Sequence, residues 1–434
     1  MMRLLHFADL HLGVESYGYP DPETGHSSRL LDFLKALDFM VDFALHGDID
    51  LVLFCGDAYR RGHSVDPTEQ REFSQRMVRL ATSGVPVFLV VGNHDISKAR
   101  GKASTVDIFT TLQVENVHVA SRPGTYRVPT RRGELSIVAL PWLSRGAMLG
   151  REDMRGLTME EVDRQFRERL RNIIDTCATE AAHSAGPSSS SGQATPAILA
   201  AHIAVMEAKL GSEREFILGS DPALPVADLA RPPFSYVALG HYHRTQTIGR
   251  QGIPAVYAGS LQGVDFSDEG VDKGFYEVEI DGEGPAHFTF HPLPSPPFLT
   301  LELELGTGQP PLEALRNLLS DLSDSASADG SRRYQIEGAI VRTRICGADR
   351  ETVPEREVVR MLRENFGAYY ALPPTLSART RPTRLGNTHS AQGLSPLDAL
   401  KLYLEQKQTD SERLRELLEY GRRLVEEEET SQAA

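Results

Sequence analysis

The chain has 434 residues, long enough for two or three domains with a large first core. Hydrophobic residues make up 40% and charged residues 24%, and no apolar run approaches the roughly 20 residues that a membrane span needs. A net charge of −14 argues against non-specific coating of DNA, and Cys55, Cys177 and Cys346 are too few and too far apart for a disulfide framework or a thiolate metal site.

The first apolar run, Leu4 to Phe7, starts almost at once after Met1-Met2-Arg3, so no signal peptide and a cytoplasmic location are expected. Helix-period spacing follows over residues 30–45 (Leu30, Leu31, Leu34, Leu37, Met40, Val41, Ala44), then a strand run over 51–54. Phe73, Met77, Val78 and Leu80 mark a second helix, closed by Gly84 and Pro86 before the strand run 87–91. Residues 159–178 read as a third helix, and 198–201 and 236–239 as further strands. Alternating elements of this kind predict an α/β fold. After Gly252 the runs 255–258, 274–280 and 287–291 read as short successive strands, predicting a second mixed sheet that packs on the first as a sandwich flanked by helices.

Domain punctuation is also visible. The Ser/Gly-rich stretch 183–195 predicts a flexible surface loop within a first domain of residues 1–291. Prolines at 292–297 end that domain, and residues 298–371 hold enough strand and helix runs for a small α+β capping domain. A linker, 372–393, precedes an amphipathic helix pair over 394–430, which opens with Ser395-Pro396-Leu397-Asp398 and carries Leu397, Leu400, Leu404, Leu414, Leu417 and Leu418. Charge is uneven along the chain. Residues 57–102 hold eight Lys/Arg against five Asp/Glu, and 396–434 hold six against ten.

Five motifs each follow a strand run: Asp9-Leu10-His11, Gly56-Asp57, Gly92-Asn93-His94-Asp95, His202, and Gly240-His241-Tyr242-His243. Ligands of an α/β sheet collect at the carboxyl ends of its strands, so these residues should converge. Imidazole and carboxylate suit Mn, Fe or Zn better than Mg. Two ions about 3.5–4 Å apart need a bridging carboxylate, for which Asp57 is the candidate. Together the motifs would make a two-metal phosphoesterase site. His6, on the first strand, reads as a core histidine bonded to backbone.

In order and spacing these motifs resemble the calcineurin-like metallophosphoesterases. That resemblance implies a first metal on Asp9, His11, Asp57 and His243, and a second on Asp57, Asn93, His202 and His241. It implies that His94 protonates the leaving oxygen and that Asp95 orients His94. Within the superfamily, Val256-Tyr257-Ala258-Gly259-Ser260-Leu261 and Lys273-Gly274-Phe275 resemble the SbcD-type DNA repair exonucleases. Many of those carry a His three positions beyond the bridging Asp; this chain has Arg60, so Arg60, Arg61, His63 and Lys98 are the candidate phosphate contacts. The implied activity is a two-metal DNA nuclease, exonucleolytic and possible as an endonuclease, using Mn²⁺ or else Fe or Zn. The expected partners are DNA, an SbcC-type ATPase bound by the C-terminal helices, and a second copy of the chain, with no membrane. The alternatives are a phosphatase or cyclic-nucleotide phosphodiesterase with the same site, and a non-enzymatic scaffold, which eroded ligands would mark; here none is missing.

Overall fold

Strands with parallel neighbours form the frame that carries the motifs. A computed structural model describes residues 1–96, 102–150, 155–183, 195–209, 222–249, 252–282, 284–306, 308–329, 335–347, 353–377, 401, 404, 413–414 and 416–422. The chain folds as two compact units, Met1–Thr300 with Leu322–Val341 and Arg360–Leu372, and Leu301–Asp321 with Arg342–Val359 and Pro373–Ala434.

In the first unit β1 (Met2–Phe7), β2 (Leu51–Phe54), β3 (Val87–Val90) and β4 (Val117–Ala120) run parallel as neighbours in one sheet. The second sheet takes β5 (Gly124–Thr130), β6 (Gly133–Leu140), β7 (Ala197–His202), β8 (Phe234–Gly240), β9 (Gln246–Ile248) and β10 (Ala255–Tyr257), in the order β5-β6-β7-β8-β10-β9. Strands β6, β7, β8 and β10 are parallel, and β5 and β9 close the edges antiparallel. The strands after Gly252 do not stay together as expected. β11 (Gly274–Ile280) and β12 (His287–Pro292) join the first sheet, with β11 antiparallel to β1 from Met2↔Ile280 to His6↔Tyr276. The physical reason is the open flank of β1: β2 covers only one edge, and a buried parallel strand needs both paired.

Residues on facing sides of the sheets, among them Leu4, Leu53, Phe88 and Val90 with Ile198, Ala200, Tyr236 and Val256, make one fully buried cluster, so the sheets form a sandwich. The outer face of the first sheet buries Phe7, Val52, Phe54 and Leu89 against α1 (Ser28–His46) and α2 (Pro67–Thr82). Helix α1 starts at the Ser27 cap and α2 at the Asp66 cap with Pro67 in its first turn. Two short helices, α3 (Asp107–Thr111) and α4 (Arg145–Met148), precede α5 (Met159–His183). Helix α5 lays Val162, Phe166, Leu170, Ile174 and Cys177, at helical spacing, against Val138, Leu199, Val237 and Leu239 of the second sheet. His6 is buried in the sandwich, where burial pushes its pKa down to about 3; its Nδ1 lies 3.0 Å from the Tyr236 hydroxyl, a side-chain partner where a backbone one was expected.

Further along lie β13 (Phe298–Glu304), α6 (Pro311–Asp329), β14 (Ile340–Cys346), α7 (Glu355–Arg360), β15 (Tyr370–Ala371) and β16 (Thr375–Ser377). In the first unit β14 pairs in parallel with β15 at Ile340↔Tyr370, and Tyr17 packs edge-on against Phe266, Phe298 and Tyr370. The Tyr369 hydroxyl lies 2.7 Å from Ser28 Oγ and 2.7 Å from Asp32 Oδ2 on α1. In the second unit β14 continues in parallel with β16 from Arg344↔Thr375 to Cys346↔Ser377. Leu404 is buried in that unit, and the positions described between 413 and 422 are helical. The Ser-rich stretch at 184–194, Lys98, most of the linker and the rest of the C-terminal pair lie outside the described residues. Among the described residues no helix is long and apolar enough to cross a membrane.

Candidate metal centre

All five motifs meet at the carboxyl ends of β1, β2, β3, β7 and β8, as strand-end placement requires. Donor atoms of Asp9, His11 and His243 lie within 4.8 Å of one another, as do those of Asp9, Asp57 and His202, and those of His11, Asp57 and His94. The donors form a chain of close approaches. His11 Nε2 is 2.8 Å from His243 Nε2 and 3.7 Å from Asp57 Oδ2. The same Asp57 oxygen is 3.4 Å from His202 Nε2, which is 2.9 Å from Asn93 Oδ1. Asn93 Oδ1 in turn lies 3.1 Å from His241 Nδ1.

Such spacings are those of ligands sharing an ion. With bonds of about 2.1 Å, the edge of a coordination polyhedron measures roughly 3 Å. Two imidazole nitrogens at 2.8 Å face common space, which one shared proton or one cation can fill. The residues present therefore fit two divalent cations, with Asp57 Oδ2 between His11 and His202.

The electrostatics agree. Burial works to raise the Asp57 carboxyl, but His202, with His94 and His11, holds it well below the usual carboxylate range. Burial opposes charge on His202 as well, yet Asp57, through its charge and hydrogen bond, pushes that imidazole up to about 9. Burial followed by His202 lowers His241 to about 3, and burial followed by His243 lowers His11 well below its ordinary value. The Asp57 carboxylate is thus balanced by a proton on His202 beside two imidazoles, His11 and His241, that burial keeps neutral, a balance a cation would take over.

The backbone is bent to present these groups. Asp9, His11, Asp57 and His241 all sit at positive φ, at 49°, 48°, 63° and 105°. His241 N–H donates to both Asp9 oxygens, at 3.0 and 3.1 Å. His202 Nδ1 is 2.7 Å from the Cys55 carbonyl oxygen, which turns Nε2 toward Asp57. Gly92 is forced by contact: a Cβ there would lie 2.2 Å from Asp57 Oδ1 and 2.4 Å from Asp57 N.

His94 is half-buried beside this set, its ring perpendicular to His11 at 4.9 Å. Its backbone N–H donates to Asp57 Oδ1 at 2.7 Å, and its ring Nδ1 is 2.9 Å from the Arg60 carbonyl oxygen. The expected orienting contact from Asp95 is replaced by this carbonyl. The Asp95 carboxylate instead accepts the backbone N–H groups of Asp57, Ala58 and Gly92 at 2.8–2.9 Å, and so clamps the loops after β2 and β3 together. Those N–H groups would otherwise be buried without partners, and a fully buried carboxylate is the acceptor that satisfies all three. Burial and the nearby Asp57 raise Asp95 to about 6 despite those bonds. Arg60 is half-buried, and its charge is one of those lowering His11; Arg61 and His63 are exposed. The carbonyl roles of Cys55 and Arg60 carry no sequence signal, because any residue supplies a carbonyl.

A two-sheet sandwich with an Asp/Asn/His set able to hold paired cations across its strand ends defines a metal-dependent phosphoesterase. The chain belongs to the calcineurin-like phosphoesterase family, which residues 2–244 match. It is 27% identical to the SbcD subunit of nuclease SbcCD from Rhodobacter capsulatus, over 88% of this chain and 93% of that protein. It is 30% identical to the SbcD subunit from Bacillus subtilis, over 64% of this chain and 66% of that protein. The DNA double-strand break repair protein Mre11 of Aeropyrum pernix is 24% identical over 93% of this chain and 88% of its own length.

Proposed function

We propose that the protein is a two-metal DNA nuclease that hydrolyses phosphodiester bonds during double-strand-break repair. The observation that carries this is the shared Asp57 oxygen between two donor sets, supported by nuclease relatives that align well past the catalytic sandwich. Asp9, His11, Asp57 and His243 would hold one cation, and Asp57, Asn93, His202 and His241 the other. Bound there, Mn²⁺-type ions would supply Lewis-acid polarisation and a water of lowered pKa. His94 is the general acid: with Nδ1 fixed on the Arg60 carbonyl, its other nitrogen is left to protonate the leaving oxygen. Asp95 acts through the backbone by holding the Asp57 and Asn93 loops in register. Arg60, half-buried, is assigned to meet a substrate phosphate, together with Arg61, His63 and Lys98; Arg in place of His at position 60 bears on the balance of exonuclease and endonuclease action.

The relatives are named as SbcD subunits of nuclease SbcCD, which supports an SbcC-type ATPase as the partner, docked through residues 394–430. The deciding assay compares the Mn²⁺-loaded protein on linear double-stranded DNA and on a chromogenic phosphodiester. Degradation of DNA supports the nuclease reading, whereas turnover of the chromogenic ester alone refutes it in favour of a small-substrate phosphodiesterase. Truncation at Gly393 tests the partner: loss of ATPase binding with retained cleavage of short DNA is expected, and unchanged binding refutes that docking site.

A further inference from the structure

Two stretches with no metal donor, 257–261 and 273–275, converge on the backbone of a ligand. Lys273 is buried, and its ammonium has three donors to satisfy. Three acceptors take them: the His243 carbonyl oxygen at 2.9 Å, Ser260 Oγ at 2.9 Å and Asp268 Oδ1 at 2.6 Å. The other Asp268 oxygen accepts the Val264 N–H at 2.8 Å. The His243 carbonyl receives a second donor, the Ser260 N–H, at 3.2 Å. Gly259 is at φ +71°, and a Cβ there would lie 2.7 Å from that same carbonyl oxygen, so the loop approaches this closely only with glycine.

Burying an ammonium is costly even when it is paired, and an uncharged pair of similar volume often serves stability as well. The placement of this one suggests its use. Lys273 immediately precedes β11 of the first sheet, and Ser260 bridges Ala8, next to Asp9. His243 follows β8 of the second sheet, while His11 follows β1 of the first, and the two rings must meet at 2.8 Å. We propose that Lys273 is a positioning residue of the metal centre: it ties the His243 loop to the first sheet and so sets the bite between His11 and His243. The inference rests on the two-cation reading above. The three Lys273 bonds go to His243, Ser260 and Asp268, on the side of the first donor set, so the effect should fall on one cation and spare the other.

The test compares full-length wild type with Lys273→Met and with Lys273→Met/Asp268→Asn, which leaves no unpaired buried charge. Each metal-free protein is titrated with Mn²⁺ by calorimetry, with His243→Ala as the reference that identifies the affected phase, and its melting is followed by circular dichroism. Wild type should take up two ions. The double variant should weaken the phase that His243→Ala abolishes by about ten- to a hundredfold, as loss of a group supporting a metal ligand does, and hold the other within about threefold. Its metal-free melting temperature should stay near that of wild type. Unchanged affinity for both ions would overturn the proposal. So would an equal weakening of both phases together with a lowered melting temperature, the mark of a merely structural lysine. Wild type that binds no Mn²⁺ would instead bring down the two-cation reading itself.

Discussion

Replacing Gly92 by Ala adds one methyl group at the most crowded point of the centre. Its Cβ would sit 2.2 Å from Asp57 Oδ1 and 2.4 Å from Asp57 N, where real Cβ contacts stay beyond 3.0 Å. The Asp57 carboxylate or the β3 loop must therefore move by about 1 Å, a displacement that can cost on the order of 10²-fold in rate. The shared oxygen of Asp57 would leave its place between His11 and His202, so both cations should weaken. Gly146→Ala is the matched control, since a Cβ there meets nothing within 4 Å. Cleavage of linear DNA and metal content after desalting should both fall for Gly92→Ala and hold for Gly146→Ala. A Gly92→Ala protein with wild-type rate and two retained ions would refute the reasoning.

His94→Ala should lower turnover by about 10²- to 10⁴-fold, the range for a lost general acid, while elemental analysis still finds two metals; a near-normal rate would remove His94 from that role. Asp57→Ala should lose both ions and activity together, because one carboxylate serves both sets, and two retained ions would place the bridge elsewhere. Tyr369→Phe deletes a hydroxyl 2.7 Å from the Asp32 carboxylate and should destabilise the first unit by about 1.5–2 kcal/mol, as a lost hydrogen bond to a charged group does, with metal content unchanged. Urea unfolding measures it, and an unchanged midpoint would show that the contact contributes nothing.

The metal centre is legible in the sequence because its chemistry is written in side chains that have few other reasons to follow a strand. Asp9, Asp57, Asn93, His202 and His241 each stand where an apolar run stops, and strand ends on one side of a sheet must meet. What escapes detection is of another kind. The partner of β11 is a matter of which edge stays open, a long-range choice that alternation within residues 274–280 cannot express. The hairpin of β5 and β6 goes unmarked because Pro129 and the Arg131-Arg132-Gly133 turn interrupt its apolar pattern. The family resemblance makes Asp95 the partner of His94; the structure turns it toward three amides whose positions no motif records.

The left-handed backbone at Asp9, His11, Asp57 and His241 has an evolutionary consequence. Non-glycine residues held there strain the chain by about 1–3 kcal/mol each, somewhat less for Asp and His, which tolerate the region better than most. Glycine at His11 or His241 would relax the loop and remove a proposed metal ligand in the same step, whereas at Asp9 or Asp57 it would also remove the buried carboxylate that accepts the His241 or His94 backbone N–H. At those two histidines the route to a less strained backbone and the route to inactivity therefore begin at the same codon, and only selection for the chemistry keeps the two apart. The first lesions of inactive descendants should fall at His11 and His241 ahead of Asn93 or His202, whose backbones carry no such strain.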